Sequence, residues 1–163
     1  MAAVEVTSKP ITVEHVRITS RRPFADVRAA IEADLPKLDP NIMVMLSSGD
    51  HDGIEKIIER GQKLFMFLER DHGALLAIAG QKRNAVQYEI GNPIIASTMT
   101  RHDLGAALYA PLRVALFETD GGEVVFEYDR PSTLFGQFGD ERITEVGRDL
   151  DRELEAVLAK AAG

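Results

Sequence analysis

The 163-residue chain contains no cysteine. Disulfide bonds, thiolate metal sites, iron–sulfur clusters bound by cysteine and cysteine nucleophiles are therefore excluded. A signal peptide is not expected either, because Met1–Pro10 has no basic region followed by an apolar run. Together these features favour a cytoplasmic location.

Long hydrophobic runs and an excess of positive charge are also missing. The apolar stretches are short and interrupted, so no segment is expected to span a bilayer. With 19 basic and 26 acidic residues the net charge is -7, whereas nucleic-acid binding requires a basic surface. The chain also lacks the GxGxxG, Walker, HExxH and GxSxG motifs. Neither nucleic acid nor membrane is an expected partner.

The remaining composition is that of a globular protein, with 45% hydrophobic and 28% charged residues. The length fits one domain with a sizeable core. We expect residues 1–10 to form a flexible N-terminal arm and residues 11–163 to form a single domain.

Hydrophobic spacing predicts the elements of the first half. Ile11–Thr19 is rich in β-branched residues and predicts a strand, with a change of phase that a bulge near His15 or burial on both faces would explain. Helical spacing predicts a helix over Pro23–Leu35 and a shorter one that contains Ile54, Ile57 and Ile58. Between them, Ile42–Leu46 is expected to be a short strand or a packed loop.

Two apolar runs, Leu64–Leu68 and Ala74–Ala79, flank a polar tip that contains Gly73. They predict a β-hairpin in the middle of a sheet, with a continuous helix as the alternative. Because both runs are apolar on both faces, either helices cover each face or a second subunit covers one. We therefore predict a homodimer.

Special residues of the second half fall at the joints between elements. Asn92 and Pro93 predict a helix start after a strand centred on Tyr88, and Asp120-Gly121-Gly122 predicts a hairpin turn. Asp140 predicts the cap of a long C-terminal helix. The fold class is thus α+β: a mostly antiparallel sheet of five or six strands with helices packed against it. The predicted strands are Ile11–Thr19, Leu64–Leu68, Ala74–Ala79, the run around Tyr88, Leu112–Glu118 and Glu123–Tyr128.

Four sequence motifs resemble the domain-of-unknown-function 302 family. They are Asp71-His72-Gly73, Gly91-Asn92-Pro93, Ala110-Pro111-Leu112-Arg113-Val114 and Tyr128-Asp129-Arg130-Pro131-Ser132. The resemblance covers roughly residues 18–158 and implies a compact α+β domain that pairs as a dimer. It implies no activity, cofactor or catalytic residue.

Aspartate adjoins histidine in three places: Asp50-His51-Asp52, Asp71-His72 and His102-Asp103. A carboxylate that orients an imidazole is typical of general bases and of metal ligands. Neighbours in sequence diverge in space, however, so a structural role is the alternative for each histidine. His72, at the predicted tip, is the strongest candidate, and no metal site is predicted.

Three further residues are candidates for ligand binding. Asn92 is expected to cap a helix whose start could also bind a small anion. Arg113 could hold a carboxylate or phosphate, or pair with Glu127 across the hairpin. Tyr128 continues the inward phase of its strand, with a hydroxyl that reaches a polar group.

Three functions follow as hypotheses. The first is a small-molecule-binding or accessory domain whose ligand, anionic or amphipathic, contacts Asn92, Arg113, Tyr128 and His72. The second is a metal-assisted or acid–base enzyme that uses His72 or His102 with Asp71, Asp103 or Glu118. The third is a homodimeric structural protein. The identity of any cofactor is left open.

Overall fold

A computed structural model describes residues 3–163. Its strands are β1 (His15–Ser20), β2 (Phe65–Asp71), β3 (Ala85–Gly91), β4 (Leu112–Glu118) and β5 (Val124–Asp129). Its α-helices are α1 (Phe24–Asp34), α2 (Pro40–Ser48), α3 (His51–Glu59), α4 (His72–Leu75), α5 (Pro93–Thr100), α6 (Pro131–Phe135) and α7 (Glu141–Ala162). Short 3₁₀ turns cover Leu76–Ala79, Leu104–Tyr109 and Gly136–Phe138.

The five strands form one antiparallel sheet in the order β1-β5-β4-β3-β2. At its centre, three buried residues lie directly opposite one another on neighbouring strands: Tyr88 on β3, Val114 on β4 and Tyr128 on β5. Helices α1 and α7 pack against this face, with Ile31 and Leu154 fully buried in the same core. The predicted α+β class, antiparallel sheet and long C-terminal helix are confirmed.

The opposite face of the sheet is polar. Alternate positions of the strands place Arg17, Arg70 and Arg113 there, and all three are exposed. Arg70 pairs with Glu89 on the neighbouring strand at 2.7 Å. The sheet therefore has one apolar face, covered by helices, and a second face that carries the charged side chains of the strands, although Val125 is buried there.

The predicted hairpin over Leu64–Ala79 is wrong in its second half. β2 pairs instead with β3 and lies at the edge of the sheet, while residues 72–79 form helical turns. Asp71 accepts a hydrogen bond from the Ala74 amide at 2.8 Å and caps the first turn. Gly73 lies against β3 so closely that a Cβ would come within 2.1 Å of the Arg83 carbonyl oxygen. Leu75 and Ile78 consequently lie outside the sheet, 64% and 97% exposed.

Two further boundaries differ from the predictions. Ile42–Leu46 lies inside helix α2, because Asp39 caps the helix through the Asn41 amide and Pro40 suits its first turn. The first strand begins at His15, so the apolar residues Ile11 and Val13 precede it. The change of hydrophobic phase therefore marks the start of the strand rather than a bulge.

Residues 3–10 contain neither helix nor strand and are exposed, whereas Met1 and Ala2 lie outside the described residues. The flexibility of the arm and the division at residue 10 stay predictions. Within residues 3–163, no helix is both long enough and apolar enough to cross a membrane.

A polar network ties helix α1 to the sheet. The buried Tyr88 hydroxyl donates to Glu32 at 3.0 Å, and Glu32 also accepts from Arg28 at 2.8 Å. Burial and the nearby charge of Glu32 raise the pKa of Tyr88, so this phenol stays protonated throughout the neutral range. At neutral pH its proton is therefore available to hydrogen-bond the Glu32 carboxylate.

Close packing of α7 against α6 requires Gly147. A Cβ there would lie 2.9 Å from the Ser132 Cα and 3.3 Å from the Phe135 Cβ. At Gly136, by contrast, the backbone is helical and the nearest atom, the Thr144 methyl carbon, is 3.9 Å from a Cβ.

We predict opposite effects for alanine at these two glycines. Gly147→Ala should lower the free energy of unfolding by about 1–2 kcal/mol, because the methyl group forces α6 and α7 apart. Gly136→Ala should raise it by about 0.5 kcal/mol, because only the unfolded chain loses freedom. Urea denaturation of both variants tests this, and equal effects at the two sites would contradict it.

Candidate functional site

The motifs Gly91-Asn92-Pro93 and Ala110-Pro111-Leu112 meet in space and line one cavity of about 250 Å³. Helix α2 contributes Met43 and Leu46 to the lining, and Phe135 of α6 and Leu150 of α7 contribute to it as well. The complete lining is Met43, Leu46, Phe67, Gly91, Asn92, Pro93, Ile95, Ala96, Ser97, Met99, Thr100, Ala110, Pro111, Leu112, Phe135 and Leu150.

Asn92 has the most constrained polar side chain of this cavity, with 8% exposure. Its Oδ1 accepts hydrogen bonds from the Ile94 and Ile95 amides at 2.9 and 3.4 Å, as expected of a helix cap. Its Nδ2 donates to the carbonyls of Gln62 and Lys63 at 3.4 and 3.2 Å. One amide thus joins the start of α5 to the segment that leads into β2.

These hydrogen bonds bear on the expectation of an anion at the start of α5. The first helical residue, Pro93, has no N–H, and Asn92 already takes the N–H groups of Ile94 and Ile95. The Ala96 amide bonds to the Asn92 carbonyl at 2.9 Å. No amide of the first helical turn is free for a ligand, so this helix start does not offer the usual anion site.

Two hydroxyl groups complete the polar part of the lining. Ser97 donates to the Ile94 carbonyl at 2.6 Å, and Thr100 donates to the Ala96 carbonyl at 3.2 Å. None of the sixteen lining residues carries a charged side chain. The cavity is consequently apolar, with a few polar atoms along α5.

Arg113 does not line this cavity. It is exposed and borders a separate depression that shares Pro111 and Leu112 with the cavity. The expected pairing with Glu127 is wrong, because the register places Ala115 opposite Glu127 and Glu89 opposite Arg113. Glu127 instead lies 3.5 Å from Arg17.

Tyr128 faces the core, as its phase predicted, with 3% exposure. Its hydroxyl finds no hydrogen-bond partner among the described residues, contrary to the expectation that it reaches a polar group. Burial, followed by the negative charge of Glu155, raises the pKa of this hydroxyl. Tyr128 lines neither the cavity nor the depression beside Arg113.

The candidate histidines have different neighbours. His72 is exposed at the start of α4, which packs against β3. His102 is exposed near Asp140, whose pKa is about 2 because Arg142 donates hydrogen bonds to it, with His102 contributing. Across residues 3–163, no group of three or more His, Asp or Glu side chains could hold a metal ion.

Comparison with known proteins gives the relationship of the chain. A family model described as "Domain of unknown function DUF302" matches residues 52–161. The chain belongs to the DUF302 family. A solved structure of an uncharacterized conserved DUF302 protein from Bacillus stearothermophilus is similar to it, with a TM-score of 0.65 and 15% identity. That alignment covers 90% of this chain and 97% of the other, whereas a search of curated proteins finds no match.

The DUF302 match includes every residue of the cavity except Met43 and Leu46, which helix α2 contributes. The sequence indicates that Asn92 lies at a joint between two elements, but it does not reveal the cavity. Its apolar lining comes from α2, β2, α5, β4, α6 and α7, and each lining residue looks locally like an ordinary core position. The one sign of the cavity is that Gly91-Asn92-Pro93 and Ala110-Pro111-Leu112 lie next to each other, and this proximity is visible only in the folded chain.

His15 is not among the candidate residues that the sequence suggests, but the structure places it between two carboxylates. Its Nδ1 lies 3.1 Å from Asp129 and its Nε2 lies 3.3 Å from Glu127, both on the neighbouring strand β5. The hydrogen bond with Asp129 is the largest cause of a raised His15 pKa. Because β1 and β5 are more than a hundred residues apart in sequence, the sequence alone does not indicate that these three side chains lie together.

We predict that Asn92→Ala will lower the free energy of unfolding by about 1–3 kcal/mol. The change removes a helix cap and leaves the carbonyls of Gln62 and Lys63 without their donor. Asp103→Ala is the control, since Asp103 caps only an exposed turn through the Gly105 amide. Urea denaturation should show the larger loss for Asn92, and an equal or smaller loss would contradict its bridging role.

His15 should make stability depend on pH. Its pKa is raised above 6.5 in the folded state, so its stabilising contribution is complete below about pH 6.5 and is lost as pH rises through the folded value. Because the site is exposed, we expect an effect below about 1 kcal/mol. An NMR titration of His15 should show a midpoint above 6.5 that falls in Asp129→Asn. An unchanged midpoint in that variant would exclude Asp129 as the cause.

Proposed function

We propose that this DUF302 domain binds a small apolar molecule in the cavity beside Asn92. The observation that carries the proposal is that two separate family motifs line one apolar space. Ligand sites are typically concave and mostly apolar, with a few polar groups that orient the ligand. The cavity beside α5 has these features.

The size of the cavity limits the ligand. A volume of about 250 Å³ is larger than the ~150 Å³ engineered cavity that holds benzene. A substituted single ring or a medium-length hydrocarbon chain fits this size.

The lining favours binding over acid–base chemistry. General acid–base catalysis needs a titratable side chain within hydrogen-bond reach of the substrate. No residue of the cavity lining is an aspartate, glutamate, histidine, lysine or arginine. The enzyme hypothesis built on His72 and His102 therefore draws no support from this cavity.

The homodimer stays a prediction, with a different basis from the one that led to it. Residues 74–79 do not contribute an apolar sheet face, but Leu75 and Ile78 are large exposed apolar side chains in the helical turns between β2 and β3. Such side chains are typical of interaction surfaces when they lie together. A cytoplasmic location likewise stays a prediction.

Filling the cavity tests the proposed function. Ala96→Leu places three more carbon atoms in the cavity, and Ala33→Leu places the same atoms on the exposed side of α1 as a matched control. Toluene, indole and cyclohexanol serve as neutral probes in thermal unfolding, since a ligand of the native state raises Tm. At least one should raise the Tm of the unmodified protein and of Ala33→Leu, but not that of Ala96→Leu.

Two results would contradict the proposal. One is the absence of any Tm increase with all three probes in the unmodified protein. The other is an equal increase in Ala96→Leu, which would place the binding site elsewhere. The variant itself should unfold at the same or a higher temperature, because the added carbon atoms occupy empty apolar space.

A further inference from the structure

We propose that the ligand of this cavity is uncharged and that its polar group donates a hydrogen bond, as in an aliphatic alcohol or a phenol. The inference rests on the proposed function and deepens it, since it concerns the chemistry of the ligand rather than the existence of the site. It follows from the hydrogen bonds that the polar side chains of the lining already make within the protein.

The side-chain donors of the lining are all used within the protein. Asn92 carries the only amide group, and both hydrogens of its Nδ2 have a backbone carbonyl within reach, those of Gln62 and Lys63. Ser97 and Thr100 each have one hydroxyl hydrogen, and each gives it to a carbonyl of α5. Each side-chain donor of the cavity lining thus already has an acceptor within the protein.

The hydroxyl oxygens of Ser97 and Thr100 can still accept hydrogen bonds from a ligand. A hydroxyl oxygen that donates its hydrogen still has lone pairs that can accept a hydrogen bond. Ser97 and Thr100 are three residues apart on α5, a spacing that places both side chains on the same side of a helix. They offer a pair of acceptor sites in an otherwise apolar lining. A ligand hydroxyl can donate to either one.

A charged group is not matched by this cavity. A carboxylate needs donors or a cation, and the nearby candidate Arg113 borders the separate depression instead. The start of α5 adjoins the cavity, but Asn92 and Pro93 leave its first turn without a free N–H. An ammonium group could donate, yet it would enter an apolar space with no opposite charge, which is costly.

Three ligands of matched length distinguish the possibilities: 1-octanol, heptyl methyl ether and octanoate. The alcohol can donate a hydrogen bond, the ether can only accept one, and octanoate is an anion at neutral pH. Titrations followed by NMR of the cavity methyl groups should show 1-octanol binding about fivefold more tightly than the ether, the typical value of one net hydrogen bond. Octanoate should bind at least about tenfold more weakly than the alcohol.

Removing the acceptors should remove this preference. In Ser97→Ala combined with Thr100→Val, the alcohol should lose its advantage over the ether, while the ether's affinity stays nearly unchanged. Each single variant is measured as well, so that the result does not depend on the folding of the double variant. Persistence of the full preference in the double variant would overturn the inference.

The remaining outcomes separate this inference from the proposed function. Equal affinity for alcohol and ether, or tightest binding of octanoate, would overturn the inference about the ligand's polar group. If the ligands that bind no longer do so in Ala96→Leu, the cavity is still the binding site and the proposed function stands. If none of the three ligands binds but toluene does, only the inference fails. If toluene, indole and cyclohexanol fail as well, both fail.

Discussion

The hydrogen bonds of one buried amide, Asn92, hold together the part of the fold where the candidate site lies. Its oxygen caps helix α5 and its nitrogen donates to the carbonyls of residues 62 and 63, so it joins the end of β3 directly to the chain leading into β2. Because the side chain is almost completely buried, each of these bonds replaces one that water would otherwise supply. The wall of the cavity depends on this arrangement.

The same bonds explain why the cavity is apolar although it lies beside a helix start. Helix starts usually present free N–H groups, and these attract anions. Here a proline and an asparagine occupy the first two positions, and the asparagine satisfies the following amides. A helix cap and a bound anion would accept hydrogen bonds from the same amide groups. Here the Asn92 side chain accepts them, so none is left for an anion.

The one-sided burial of the sheet is the second constraint on the molecule. Side chains on one face of β3, β4 and β5 form the core with α1 and α7, while the other face carries arginines paired with carboxylates. The edge position of β2 follows from its pairing with β3 alone among the strands. This geometry removes the buried hairpin on which the prediction of a homodimer was based.

Local signals predicted most joints correctly. Asn92-Pro93 begins a helix, Asp120-Gly121-Gly122 joins β4 to β5, and Asp140 caps α7. Each of these depends on a residue and its near neighbours, which is why the sequence reveals them. The short apolar runs at residues 42–46 and 74–79 were misread because four to six apolar residues suit a helix as well as a strand.

The sequence by itself thus determined the fold class, the family and the turns, because these depend on periodicity and on backbone preferences of single residues. Only the tertiary structure decided which candidates meet. Asn92 lines the cavity, and Arg113 borders the neighbouring depression. Tyr128 and His72 line neither the cavity nor the depression. The structure also brings His15 into contact with Asp129. Strand order and register set these distances, and both arise from contacts between residues far apart in the chain.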